Sequence, residues 1–472
     1  MITGSPRESC GIFGIYAPGE DVARTTFFGL YALQHRGQES AGIATADGQG
    51  LRVRTGMGLV AQVFVEEDLA YLGGGHIAVG HTRYSTTGSS RIVNAQPLTV
   101  EGDLGPLALA QNGNVINAAS LRAQMEPAVD FRSSTDAEVI ARLIVSSFGY
   151  TWQEKILRTV PRLQGAFSLV LLTRDSLIGV RDPLGIRPLC LGRLHGGWVL
   201  ASESCALDTV GAQFVREVEP GEVVVIDERG VHSTIGYVSE KRSLCVFEFI
   251  YFARPDSLIN GRLLYLARQE MGAQLAREYP IEADLVIAVP DSAIPAGIGY
   301  AKESGIPFSE GLIKNRYIGR TFIQPDQRMR EMGVQLKFNP LLEALNGKRL
   351  VVLDDSIVRG TTTPRVVSLL RRAGAAEVHM RICAPPIRYP CFFGVDMATR
   401  GELIAARKSV EEIARYIGAT SLGYLSLEGL IRSVGLPGED FCLACFTGGY
   451  PIPVQLEMDK LIMERPVTPH LT

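Results

Sequence analysis

Residues Val351 to Thr363 read VVLDDSIVRGTTT, an apolar run that ends in two adjacent carboxylates and leads into a turn of glycine and hydroxyl side chains. These residue types divide the work of holding a phosphorylated sugar. A helix is expected to open after the turn: Val366, Val367, Leu369, Leu370 and Ala373 recur at helical spacing, Pro364 is tolerated in a first turn and Gly374 suits the far end. Unpaired N–H groups of that first turn, with the Thr361, Thr362 and Thr363 hydroxyls, would hold a phosphate dianion. Asp354 and Asp355 repel phosphate, and instead suit ribose hydroxyls or a hard cation such as Mg2+. A merely solvated acidic pair at a strand end is the bland alternative, and the ordered run of strand, DD, glycine and threonines argues against it. The GxxxxGK[ST] order of a nucleotide-triphosphate loop is absent.

A second chemistry is seated near the start of the chain. Cys10 opens CGIFGIYAP and could be no more than a small core hydrophobe. Further along stand YALQHRGQESAG (Tyr31 to Gly42), HTRYSTTG (His81 to Gly88), QNGN (Gln111 to Asn114) and SSTDAE (Ser133 to Glu138). A third candidate is the pair Cys442 and Cys445 in CLAC, with Cys245 in SLCVFEF and Cys391 in YPCFFGVD. Alone, a CxxC pair reads equally as a redox couple or half a zinc site.

The elements that must carry these residues change style near residue 237. From Gly11 to Ser233, short apolar segments such as Ala41 to Ala46, Ile77 to His81, Ala108 to Gln111, Ala166 to Leu172 and Val223 to Asp227 alternate with glycine-rich turns. They read as stacked antiparallel sheets flanked by helices such as Asp136 to Ser147. From Arg262 onward, helical patterns such as Leu263 to Glu278 alternate with buried strands at Leu285 to Val289, Leu350 to Leu353 and Val378 to Ile382, which argues for a parallel sheet with crossover helices. No internal repeat or low-complexity linker separates the halves, and Met463 to Thr472 reads as a poorly tied tail.

Composition sets the frame. A chain of 472 residues, 46% apolar and 21% charged, can bury large cores in two or more domains. Its net charge of −3 leaves no footprint for nucleic acid or an anionic membrane, so anion binding must be local. No apolar stretch is long enough to span a bilayer, and MITGSPRES lacks the apolar core of a secretory signal, so the expected compartment is the cytoplasm. Eight cysteines are thin over this length, and reduced thiols are expected, with Cys190, Cys205 and Cys383 buried outside any motif.

The acidic strand end and threonine turn resemble the phosphoribosyl pyrophosphate (PRPP) loop of type I phosphoribosyltransferases. Cys10 and the four motifs after it resemble a class II, N-terminal-nucleophile glutamine amidotransferase domain. FEFIYFARPDS (Phe247 to Ser257), VPDSAIPAGIGYAKESGIPF (Val289 to Phe308) and KNRYIGRTFIQP (Lys314 to Pro325) resemble the amidophosphoribosyltransferase family, and the likeness runs from Cys10 to about Pro453. It implies an αββα sandwich over 10–236, a phosphoribosyltransferase domain with a C-terminal cluster-binding segment over 237–472, and a propeptide at 1–9.

The implied first reaction is attack of the Cys10 thiolate on the glutamine side-chain amide, through a thioester, with the free α-amino group of Cys10 as base. Removal of Met1 to Ser9 would expose that amine. By the same resemblance Arg83 holds the glutamine α-carboxylate, Asp136 receives the α-ammonium, and the Asn112 side chain with the Gly113 N–H forms the oxyanion hole. Read singly, these residues could be a surface ion pair, a helix cap and a hairpin turn. Gln111 departs from the family, where many relatives have histidine, and puts no catalytic role in doubt.

The implied second reaction is attack of ammonia on carbon 1 of PRPP, with loss of pyrophosphate, to give 5-phosphoribosylamine, the first committed intermediate of purine synthesis. PRPP would be held by Asp354, Asp355, Arg359, Gly360, Thr361, Thr362 and Thr363, with Lys314, Arg316 and Arg320 on a segment that folds over it. Ser292, Asp354 and Asp355 map to the Mg2+ residues; Ser292 could also simply cap a helix. The four motif cysteines, Cys245, Cys391, Cys442 and Cys445, match the branch that holds a [4Fe-4S] cluster, although zinc suits four thiolates too. Purine nucleotides as inhibitors and a homotetramer are further family expectations. Two competing readings are a PRPP-sensing regulator, disfavoured by the lack of a basic DNA-reading module, and a glutaminase serving another acceptor.

Overall fold

The computed structural model describes residues 10–85, 87–126, 128–237, 239–315, 338–395, 399–454 and 461–464. The expected propeptide, Arg316 and Arg320 lie outside the described residues.

The first half is two antiparallel sheets, face to face. One runs, side by side, through Gln213–Glu217, Cys190–Leu194, Gly197–Ala201, Gly11–Tyr16, Ile77–Arg83, Ser40–Ala46 and Leu51–Met57. The other runs through Gly230–Ile235, Glu222–Asp227, Leu177–Arg181, Gly165–Leu172, Gly105–Val115 and Leu98–Gly102. Alternate residues of each strand fill the space between the sheets, where Ile12, Ala44, Val79 and Leu200 meet Ala108, Val170 and Val224. Each outer face takes a helical layer. Val22–Ala32 covers the first sheet through Val22, Ala23 and Leu30. Asp136–Ser146 covers the second through Val139, Ile140, Leu143 and Ile144. This is the expected αββα sandwich.

In the second half, Leu285–Ala288, Arg349–Asp354, Glu377–Ile382 and Ser421–Tyr424 are the strands of one sheet, with Arg349–Asp354 between the first and the third. All three pairings are parallel. Successive residues feed opposite cores: Val286, Ala288, Val351 and Leu353 on one face, Ile287, Val289, Leu350 and Val352 on the other. Helices Leu264–Glu278 and Ile294–Ser304 pack on the first face, and Thr363–Arg372 and Val410–Ile417 on the second. The helix after the acidic pair begins at Thr363 and buries Val366, Val367, Leu369 and Leu370, as its spacing predicts.

The tail departs from expectation. Met463 is buried in the core that helix Asp136–Ser146 shares with the second sheet of the sandwich. Its neighbour Glu464 makes hydrogen bonds to Ser89 and Ser134. Chain segments 375 and 330 residues apart are thereby joined, a pairing that no local pattern announces.

Candidate active sites

Cys10 directly precedes the central strand Gly11–Tyr16, and the antiparallel register of Gly11 with Thr82 sets it beside Arg83 and Tyr84. Its Sγ donates to the Tyr84 carbonyl at 3.2 Å and accepts the Tyr84 N–H at 3.4 Å. Burial pushes the thiol up to about 11, the Tyr84 hydrogen bond and Arg83 work downward, and Glu39 and Asp136 add to the rise. At neutral pH the sulfur is therefore protonated, and a nucleophilic role requires a base.

Arg83 is almost wholly enclosed. Its two terminal nitrogens donate to the carbonyls of Ser89 and Thr87, both at 3.1 Å, and Glu39 lies 3.7 Å from one of them. Glu39 also accepts the Ser85 N–H at 3.2 Å and its hydroxyl at 3.0 Å. Glu39 was not singled out in the sequence, although a carboxylate inside the motif Tyr31 to Gly42 was the available signal.

Asp136, the first residue of its helix, accepts the Val115 N–H at 2.9 Å and the Gln111 side-chain amide at 2.7 Å. Burial raises its pKa against those hydrogen bonds. Gln111, the departure from the family pattern, thus holds one side of the expected ammonium receptor. Between the two donors lies Asn112, fully buried, with neither its Nδ2 nor its Oδ1 in a hydrogen bond. An orphaned buried amide is costly, and a ligand oxygen would relieve it. Gly113 follows at φ 142°, where an added Cβ would fall 2.0 Å from the Ala166 carbonyl oxygen.

In the second half, the strand Arg349–Asp354 delivers both carboxylates to its C-terminal end, where open parallel sheets bind ligands. Asp355 is buried and accepts the Ser292 hydroxyl at 2.6 Å and the Ser356 hydroxyl at 2.5 Å. Ser292, remote in sequence, is thereby brought to the acidic pair. Gly360 turns the chain at φ 69°, Thr362 precedes the helix and Thr363 begins it. The Arg359 guanidinium donates to Glu402 at 3.2 and 3.0 Å. Lys314 pairs with Asp291.

The four motif cysteines converge. Leu244–Cys245 and Phe441–Cys442 pair as parallel strands with Cys245 opposite Cys442, and Cys391 and Cys445 pack in the same core. No disulfide joins them. Burial pushes Cys245 up to about 12, with Arg187 opposing and Glu248 and Cys391 adding to the rise, and burial followed by Cys442, Cys245 and Cys391 raises Cys445 well above the ordinary thiol value. Among the described residues, no group of three or more His, Cys, Asp or Glu stands in metal-binding geometry. The donor set, four gathered reduced thiols, nonetheless fits a thiophilic group. Cys190, Cys205 and Cys383 are buried, as expected, and Cys383 lies in the same core as the motif cysteines.

A buried ion network, invisible in the sequence, joins the halves. Arg36 contacts Glu203 and Glu248, and Arg187 reaches Glu248 at 3.2 Å; all four side chains are inaccessible to solvent. Glu203 also accepts the His35 ring nitrogen at 2.7 Å, the Ser257 hydroxyl at 2.7 Å and the Arg254 N–H at 2.8 Å.

Comparison with known proteins bears on both sites. The profile of a family described as glutamine amidotransferase domain matches residues 81–209, and that of a phosphoribosyl transferase domain matches 256–385. A curated amidophosphoribosyltransferase of Synechococcus elongatus is 52% identical over 97% of this chain and 95% of its own. One from Synechocystis is 54% identical over 97% and 94%. A solved structure described as glutamine PRPP amidotransferase from B. subtilis, complexed with ADP and GMP, superposes with a TM-score of 0.89 at 47% identity, covering 94% of this chain and 98% of that one. The chain belongs to the amidophosphoribosyltransferase family.

Proposed function

We propose that residues 10–236 hydrolyse glutamine at Cys10 and that residues 237–472 transfer the ammonia to carbon 1 of PRPP, releasing pyrophosphate and 5-phosphoribosylamine. Asn112 carries the first part of the reading. Its buried amide lacks a partner and stands on the strand whose neighbours bind Asp136, while Asp136 acts electrostatically on Cys10. An oxyanion formed on the glutamine amide would accept from Asn112 Nδ2 and the Gly113 N–H. Arg83 and Asp136 hold the two ends of the amino-acid group. The protonated thiol needs a base at its own position, which the α-amine of a mature Cys10 supplies after loss of residues 1–9.

In the second half, Asp354 and Asp355 take the ribose hydroxyls, and the Arg359–Thr363 turn takes the 5′-phosphate at the helix start. Lys314, Arg316 and Arg320 would supply positive charge to the pyrophosphate, as the family likeness implies. Mg2+ would be held by Asp354 and Asp355, with Ser292 alongside, and would neutralise charge developing on pyrophosphate. The protein's own part is to fix the ribose, place ammonia in line and exclude water.

Four gathered thiols support a [4Fe-4S] cluster on Cys245, Cys391, Cys442 and Cys445. The ADP and GMP in the B. subtilis structure's description support purine nucleotides as inhibitors. A cytoplasmic homotetramer completes the proposal; no helix among the described residues is long and apolar enough to cross a membrane. Incubation with PRPP, Mg2+ and glutamine should yield glutamate and pyrophosphate in equal amounts. Glutamate formed without pyrophosphate would assign the chain to another acceptor.

A further inference from the structure

Three successive residues of the second half grip the first. The Asn114 side-chain amide donates to the Phe392 carbonyl at 2.9 Å. Arg187, from the first half, donates to the Phe393 carbonyl through Nε at 3.0 Å and Nη2 at 2.7 Å. Gly394, at φ 99°, lies so close that an added Cβ would fall 2.9 Å from the carbonyl carbon of Gly113. Two of these contacts meet the strand of the oxyanion donors, at the next residue and at Gly113 itself. The other end of the Asn114 amide accepts the Thr87 hydroxyl at 2.6 Å, and the Thr87 carbonyl accepts from Arg83.

We propose that Phe392–Gly394 braces the oxyanion hole of the glutaminase from the opposite domain, with Asn114 as the positioning residue that transmits the brace. The inference rests on the assignment of Asn112 and Gly113 as oxyanion donors. Donors aimed at a developing charge act only when held in place, and a small misplacement is expensive in rate. The contacts from Phe392 and Gly394 fall on the strand, and the link toward Arg83 leaves from the other end of the Asn114 amide. Loss of the brace therefore lowers kcat more than it raises the glutamine KM.

Asn114→Asp tests the brace in the full-length enzyme. It keeps an acceptor for Thr87 and removes the donor to Phe392. Glutamine-dependent pyrophosphate release should lose about tenfold or more in kcat, with the glutamine KM and the ammonium-dependent reaction within about twofold of wild type. Gly394→Ala, made on the other side of the contact, should do the same, and it carries the test if Asn114→Asp does not fold. The double variant should be little worse than either single one, because both contacts belong to one brace. A wild-type glutamine kcat in Asn114→Asp and Gly394→Ala overturns the brace, as does an equal loss of the ammonium reaction. Asn112→Ala separates this failure from that of the underlying assignment. If it too keeps full glutamine turnover, the oxyanion assignment is wrong; if it alone loses turnover, the brace is wrong.

Discussion

Glu464 reaches back across the molecule to Ser89: one carboxylate oxygen accepts the Ser89 N–H at 2.5 Å and the Ser134 hydroxyl at 3.0 Å. The Ser89 carbonyl in turn accepts from Arg83, so the last described turn of the chain supports the loop that holds the glutamine carboxylate group's proposed partner. Glu464→Ala should raise the glutamine KM by roughly three- to tenfold, the worth of about one hydrogen bond, and leave ammonium-dependent turnover unchanged. Steady-state kinetics with both donors checks this; an unchanged glutamine KM contradicts it.

Arg36 compensates two buried carboxylates, Glu203 and Glu248. Removing it leaves Glu203 to His35 and Glu248 to Arg187, each buried carboxylate short of one partner. Arg36→Met should cost about 3–5 kcal/mol, read by chemical denaturation. Burial opposes the Glu203 charge, but His35 and Arg36 outweigh it and hold its carboxyl well below the ordinary 4.5. A depressed folded-state pKa contributes stability that is complete above the unfolded value and lost only as pH falls through the folded one. The Glu203 contribution therefore survives acidification to pH 4.5 and disappears below it.

His81 also costs stability on acidification, but over a higher pH window. Burial lowers its pKa from 6.5 to about 3, with the Gln111 carbonyl contact opposing. The unfolded chain takes up a proton below pH 6.5 that the folded chain refuses until about 3, so stability drains across that window. His81→Gln should flatten the fall in the denaturation midpoint between those limits. An unaltered slope would show that His81 titrates freely in the folded protein.

The Cys10 thiol, pushed up to about 11, remains protonated over the working range. With the α-amine as base, glutamine-dependent kcat/KM should rise to a plateau set by a group near pKa ~8. A rate that climbs without a plateau toward pH 11 would place control in the thiol itself.

If the four gathered thiols carry the proposed cluster, the purified protein holds about four irons and four sulfides per chain and no zinc. Cys442→Ser should abolish iron retention and lower the melting temperature. Zinc in place of iron would retain the clamp and refute the iron-sulfur assignment.

Legibility followed range. The strand Arg349–Asp354 and the helix from Thr363 declare themselves through local periodicity, and with them the acidic pair and the phosphate turn. Cys10 and the four motifs after it marked the glutaminase half through their resemblance to a known family, which spacing alone would not have supplied. The rest depends on partners far along the chain. Arg36 reads as a surface arginine until Glu203 and Glu248, 167 and 212 residues away, close over it. Gln111 carried no visible task until Asp136 came within 2.7 Å. Arg359, expected at the phosphate, is held by Glu402, which no spacing rule links to it. Met463 and Glu464 lie in a stretch too short for periodicity to show what they dock against.

The most direct measurement of the two-site account is PRPP-dependent pyrophosphate release by Cys10→Ala with glutamine or ammonium as donor. The account predicts loss of the glutamine reaction and retention of the ammonium reaction. Loss of both, in a variant that folds and keeps its metal content, or persistence of the glutamine reaction, would contradict it.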